Sequence, residues 1–527
     1  MPHENKEETF SSQHIADALA RFMYDDLTVS EGAEIVEHLR LARRQVTPRL
    51  LSLLGSSSVR ERDMAIVLLG MLGDSGEVEH IRPLIADPSL DDDFKLKLIS
   101  LVTQLDPGVD TAALFDHIQD PYGALERSHR EHLQLLRTPM DLARWLDMMA
   151  AHMSADARIN LCETSTQIDD VAAVPLLICL CYDRDDEVAL AAMDAVERYK
   201  DARALPALAE LAAHHPTPAV RMEARKSADR LRVRASLVPQ VESIPPPPLY
   251  ACYLTTIDGS GGQIAFIVRE HEDDSVDTID VMFNDREGIK ECFGARIRLS
   301  ELVEMLDAMA QEDISTVYVS HARCLRTLDW ARDITWKAGR LLPMTYVAWR
   351  PTIEHGSTED DEQIPEMVIA PESRKELLDH CYELLLQDEF TAWFFNPDEI
   401  GDLVDRYLLL APEEGDEIEA PALRQLLQAG VQEIVTDNVR DLIRGRLLRV
   451  APLLREIYED DEIWQWAIVA AEALDAQSGL SRREHPLLLG MVACSLENAM
   501  GEMIEWPTAQ VVAPAHSDRR GAPFRGA

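Results

Sequence analysis

Several patterns are missing from this chain, and each absence removes a class of activity. Lys and Arg total 51 against 94 Asp and Glu, a net charge of -43 over 527 residues. An acidic surface repels phosphate backbones and anionic lipid headgroups, which disfavours nucleic acid and membrane as partners. The eight cysteines contain no Cys-x-x-Cys pair. Cys179 and Cys181 stand two apart, about 200° around a helix axis, so they do not converge on one metal. All eight read as free, mostly buried thiols of a reducing cytoplasm. The longest apolar run, Val171 to Cys181, is too short to span a bilayer and contains Pro175. Met1–Phe10 is polar and acidic, without the basic and apolar regions of an export signal, so a cytoplasmic protein is expected.

Catalytic signatures are equally scarce. No Gly-x-Ser-x-Gly occurs, which leaves the serine-hydrolase class without support. Asp258-Gly-Ser-Gly-Gly262 lacks the lysine of a phosphate loop and reads as a hairpin turn. His129 and His132 stand three apart without a third ligand at useful spacing, and read as surface histidines. The acid runs Asp91–Asp93, Asp185–Glu187 and Glu459–Glu462 lack calcium-loop spacing and suit helix starts, where carboxylates meet the positive end of the dipole. No catalytic, cofactor or metal residue is therefore assigned.

Aromatic residues make up 6% of the chain, and the many Ala and Leu favour packed helices over sheets. What is present is a repeat. Asp170-Val-Ala-Ala-Val174-Pro-Leu-Leu-Ile-Cys-Leu180 returns as Asp201-Ala-Arg-Ala-Leu205-Pro-Ala-Leu-Ala-Glu-Leu211. After each, Val188, Ala192, Ala195 and Tyr199 recur as Val220, Ala224, Ala228 and Leu231, one helical stripe. The junction steps back through Thr138, Asp106 and Asp74 to a weaker phase at Ala42, about every 32 residues, as two helices per unit require in an α-solenoid. Leu69, Val78, Leu84, Leu177, Val188, Leu208 and Val220 are the expected seam.

The clearest unit, Ala65 to Asp87, carries Leu69-Gly70, Leu72-Gly73-Asp74, Val78 and Leu84. It resembles the short HEAT repeat of the phycobilisome-lyase-like type, over residues 30–235. That resemblance implies a stack of helix pairs and says little of activity, since the family includes bilin lyases, scaffolds and regulators. Gly70 and Gly73 have no counterparts at Asp106 or Thr138. The rest weakly resembles bacterial HEAT-bearing proteins without an assigned activity, through Asn284–Gly288 and Thr391–Pro397.

The expected fold is multidomain and mainly α: an N-terminal HEAT-like solenoid, a central small α+β domain and a C-terminal all-α domain. Residues 1–237 form the solenoid, opened by a capping helix over 13–27. Residues 238–250, with Pro245–Pro248, are a stiff spacer and the junction where the solenoid can be separated. The α+β domain spans 251–354. Its strands are read at 251–257, 263–270, 278–283 and 315–319, and its helices at 300–311, capped by Ser300, and 321–339. An acidic linker (355–370), helices over 371–506 and a disordered tail (507–527) follow.

The one cluster of like charge against the acidic trend is Arg221–Arg234, where Arg221, Arg225 and Arg232 are read as a stripe for an acidic protein or peptide partner. The expected function is a non-enzymatic interaction scaffold or adaptor using the repeat surface. The alternatives are a cofactor-handling or lyase-like enzyme, or a degenerate RNase H-like nucleic-acid enzyme, with Asp258 and Glu301 or Glu304 as its acids.

Overall fold

An aspartate placed where one helix must stop and the next begin sets the repeat. Asp74, Asp170 and Asp201 each adopt extended backbone, and their carboxylates accept the amide two residues on. Each then opens one turn of 3-10 helix before the α-helix proper. The computed structural model describes residues 12–24, 29–147, 153–168, 170–235, 245–356, 367–410, 419–458 and 461–500. The 507–527 tail, most of the 355–370 linker and 238–244 of the proline-rich stretch lie outside them.

Fourteen helices precede the sheet among the described residues: α1 Ser12–Tyr24, α2 Val29–Leu41, α3 Arg43–Leu53, α4 Val59–Leu72, α5 Val78–Ile85, α6 Asp92–Leu105, α7 Thr111–Phe115, α8 Pro121–Leu135, α9 Pro139–Trp145, α10 Ala155–Ile168, α11 Val174–Leu180, α12 Asp186–Tyr199, α13 Leu205–His214 and α14 Pro218–Ala235. Of the expected seam residues, six are buried and Leu84 is half-buried. Asp106 does not cap the following helix. It takes the Gly108 amide at 3.0 Å, and Asp110 caps α7. Polar ties cross the stack at separations of 33 to 36 residues: Lys97 to Asp63, Gln104 to the Gly70 carbonyl, Arg127 to Asp93, Gln134 to Asp170 and Arg230 to Glu197. One repeat length therefore sets both the apolar and the polar register.

The sheet has five antiparallel strands in the order β4-β3-β2-β1-β5: β1 Leu249–Thr255, β2 Gly262–Glu270, β3 Ser275–Asn284, β4 Gly288–Arg298 and β5 Thr316–Val319. β4 adds a strand that the sequence reading left out. Helix α15 (Leu299–Gln311) crosses the outer face, where Leu302 packs with Ala251, Val268 and Val276. Ser300 lies inside α15, and Glu301 instead holds the Arg298 amide at 2.7 Å. Helices α16 (His321–Lys337) and α17 (Met344–Ile353) cover the inner face.

The solenoid and the sheet share one core. Leu142, Leu177, Leu180 and Leu208 belong to the same buried cluster as Leu254, Ile267, Val281 and Trp349. Helix α17 lies against α9 and α11, on the side formed by the short first helices of these repeats. Glu210 of α13 accepts from Tyr182 Oη at 2.6 Å and Arg350 at 2.8 Å, and His214 stacks on Trp336 at 5.4 Å. At the far end Arg298 meets Glu31 of α2 at 3.2 Å. Pro245–Pro248 thus joins two packed bodies, and parting them would expose this apolar face.

The C-terminal helices are α18 Arg374–His380, α19 Pro397–Leu410, α20 Ala420–Ile434, α21 Asp437–Ile457, α22 Asp461–Ala473 and α23 Pro486–Met500. They enclose a second core around Trp393, Leu427, Leu447, Ala467 and Leu488. Leu453 of α21 joins the core of the sheet and Trp393 Nε1 donates to the Ile257 carbonyl at 2.9 Å, and beside these contacts stands a buried ionic tie. Arg446 of α21 grips Asp285, in the β3–β4 turn, through two bonds of 2.7 and 3.0 Å. The same guanidinium donates to the carbonyls of Gly259 and, at 2.9 Å, Ser260 in the β1–β2 turn. Gly259 is required there because a Cβ would stand 1.8 Å from the Ala392 carbonyl oxygen. Arg449 lies 4.1 Å over the Trp330 ring, and burial lowers its pKa against the pull of Asp285.

Candidate functional site

The basic helix α14 buries Val220, Ala224, Ala228 and Leu231 against α12 and α13, so its arginines are left on the remaining surface. Most of them have partners. Buried Glu197, one repeat back, takes Arg230 and Arg234 at 2.7 Å each. Glu223 takes Arg230 at 2.8 Å and Lys226 at 3.2 Å, and the Arg230 bond holds its carboxyl below the usual range. Arg221 donates to the Pro216 carbonyl at 2.9 Å and to that of His215, tying down the turn before its own helix. Arg232 pairs with Asp229 at 2.8 Å, an exposed contact of small worth. Arg225 is exposed and has no ion pair among the described residues. The three arginines therefore divide into a structural one, a loosely paired one and an open one.

The acid runs find structural partners. Asp91 caps α6, Asp92 accepts the Gln119 and Asp120 amides, and Asp93 meets Arg127. Those two amides hold the Asp92 carboxyl below its ordinary range. Asp185 caps α12, and Asp186 accepts from Thr217 at 3.1 Å. Glu459 and Asp460 lie outside the described residues. His129 contacts Ser165 Oγ at 3.2 Å across a repeat, and the His132 side chain lies outside the described set.

Asp258 closes the β1–β2 hairpin, its Oδ1 accepting from the Ser260 and Gly262 amides at 2.8 Å. Glu301 and Glu304 sit on α15, which follows the end of β4 that pairs with Ser275, whereas Asp258 adjoins the opposite end, where Gly262, Asn284 and Gly288 align. The acids of the RNase H-like alternative thus stand at opposite ends of the sheet. Among the described residues no group of three His, Cys, Asp or Glu could hold a metal ion.

One feature carried no signal in the sequence. The outer face of the sheet holds a row of directly opposed residues: Tyr318, Tyr253, Phe266, Asp280 and Phe293. Tyr253 and Tyr318 meet edge to face at 6.0 Å, and Tyr318 and Phe293 are exposed. Asp280 Oδ1 is buried with no hydrogen-bond partner, and that desolvation pushes its carboxyl up to about 7. A period-two pattern marks a strand, but only the register places an acid in an aromatic row.

The family of HEAT repeats matches the chain over residues 142–228. No curated protein matches it. The matched stretch runs from α9 into α14, so the chain carries HEAT-like repeats where the Asp-capped units are most regular. Among the described residues no helix is long and apolar enough to cross a membrane.

Proposed function

We propose, for a chain that carries HEAT-like repeats, that this protein is a non-enzymatic interaction scaffold working in the cytoplasm. The observation that carries the reading is the asymmetry of the repeat stack. Two of its short first helices, α9 and α11, are covered by the chain's own α17, while the long second helices α10, α12 and α14 turn Glu163, Asp194, Arg198 and Arg225 to solvent. A stacked helical face with little enclosed volume suits a protein or peptide better than a small molecule. The Leu72-Gly73-Asp74 junction supports likeness to the short, phycobilisome-lyase-like repeat. The solenoid, the sheet region and the C-terminal helices are proposed as three chain regions bounded near 238–250 and 355–370.

Within this reading Arg225 and Arg232 are the contacts for an acidic partner, and Arg221 supports the turn beneath them. The test is capture from the native host with cross-linking at low salt. Cross-links should fall on α10, α12 and α14, and R225E/R232E should reduce recovery several-fold without moving the melting temperature. Cross-links confined to other faces, or unchanged recovery, would refute the assignment.

A further inference from the structure

The edge of the sheet at β5 has its own recognition chemistry. The Thr256 amide donates to the Ser315 carbonyl at 3.0 Å, and the β1–β5 register continues through Leu254↔Val317 and Cys252↔Val319. In an antiparallel ladder this turns the backbone groups of Ser315, Val317 and Val319 toward β1 and those of Thr316 and Tyr318 away from it. No backbone partner takes up the Thr316 or Tyr318 groups among the described residues. A groove of about 480 Å³ runs along this open edge, between α15 and the last turn of α21. Leu306 and Asp307 stand on one wall, and Glu456 and Ile457 on the other. Both carboxylates are exposed and have no ion pair among the described residues.

We propose that this edge accepts an extended, basic segment of another protein as a sixth strand. Thr316 and Tyr318 supply two donors and two acceptors at the spacing a paired strand needs, the main-chain half of strand addition. Charge selects the occupant. Asp307 and Glu456 face the groove from both sides, and the chain carries -43, so lysine and arginine are drawn in while an acidic segment is repelled. The Tyr318 ring, exposed and set against Tyr253, offers a face to a cation on the neighbouring strand. Leu306 and Ile457 receive apolar residues between the charges. This surface is separate from the repeat face, so failure of either assignment leaves the other standing.

The probe is a labelled Lys-Val-Lys-Val-Lys-Val peptide, titrated by fluorescence anisotropy into the full chain at low salt. Saturable binding is expected, with roughly tenfold loss on D307K/E456K and a similar loss when the peptide is N-methylated along its centre. T316P removes one outward amide that the β1 ladder does not use and should also weaken binding. Its melt reports whether the sheet survives, and the N-methylated peptide gives the same test on unaltered protein. Absence of saturable binding, equal affinity for Glu-Val-Glu-Val-Glu-Val, or indifference to N-methylation would overturn the proposal. So would self-association that competes with the peptide, since it would assign the edge to a second copy.

Discussion

Removing the Arg446 guanidinium should loosen the C-terminal helices from the sheet more than any other single truncation at that boundary. Arg446 and Asp285 are 4% and 7% exposed, and their fork closes at 2.7 and 3.0 Å. Arg446→Met keeps much of the apolar stem but leaves the Asp285 carboxylate buried, with only Arg449 at 3.4 Å. It also strips the Gly259 and Ser260 carbonyls of their donor. Breaking one partner of a buried pair costs about 3–5 kcal/mol, mainly the desolvation of the charge left behind. Replacing both partners by apolar residues of similar volume is often neutral. R446M should therefore be strongly destabilising, and R446M/D285L should recover most of the loss. The assay is hydrogen exchange over the 258–262 and 285–288 turns, together with denaturant unfolding of the parent, both single variants and the double. Protection of these turns should fall by roughly two to three decades in R446M. A loss below about 1 kcal/mol in R446M, or a double variant no better than the single, would show that the pair is not what holds the interface.

Two further outcomes follow from burial. Asp280 has a folded-state pKa near 7 against an ordinary 3.8, so the folded state holds its proton more tightly. Its contribution is then present below about pH 4 and is lost as pH rises toward 7. D280N should raise stability at pH 8 and flatten that part of the melting profile, and an unchanged profile would contradict the burial of Oδ1. Leu177 of α11 is fully buried in the core that the repeats share with the sheet, so L177D should cost several kcal/mol and depress the thermal melt, whereas an unmoved melt would refute the repeat register.

The parts legible in the sequence were those whose cause is local or strictly periodic. Asp74, Asp170 and Asp201 announce the repeat because a cap acts within three residues, and the Val188 and Val220 stripes do so because helical spacing is fixed. Strand β4 was not legible because its inner surface is partly supplied from elsewhere. At Gly294 a Cβ would stand 2.1 Å from Trp349 Cζ2, so the position that should carry an apolar side chain carries none. Helix α17 was hidden by Pro351 within it. That Arg230 and Arg234 of α14 are neutralised was not legible either, because Glu197 reaches them from 33 and 37 residues away, a distance no local window spans. The β5 groove exists only once α15 and α21 are brought to the same edge, so neither its residues nor their spacing could mark it.

The docking of α17 along α9 and α11, with Arg298 holding α2, has a mechanical consequence. A free stack of helix pairs is an elastic spring whose pitch changes when a ligand pulls on it, because each unit touches only its neighbours. Here the sheet ties the α9–α10 and α11–α12 pairs to one another and reaches back to α2, as a string does for a bow. Opening the curve would strain contacts far from the point of load, so the stiffness of the whole is set by the tether. A partner must fit the pitch it finds, and a force on the sheet would be felt as a change of curvature in the repeats.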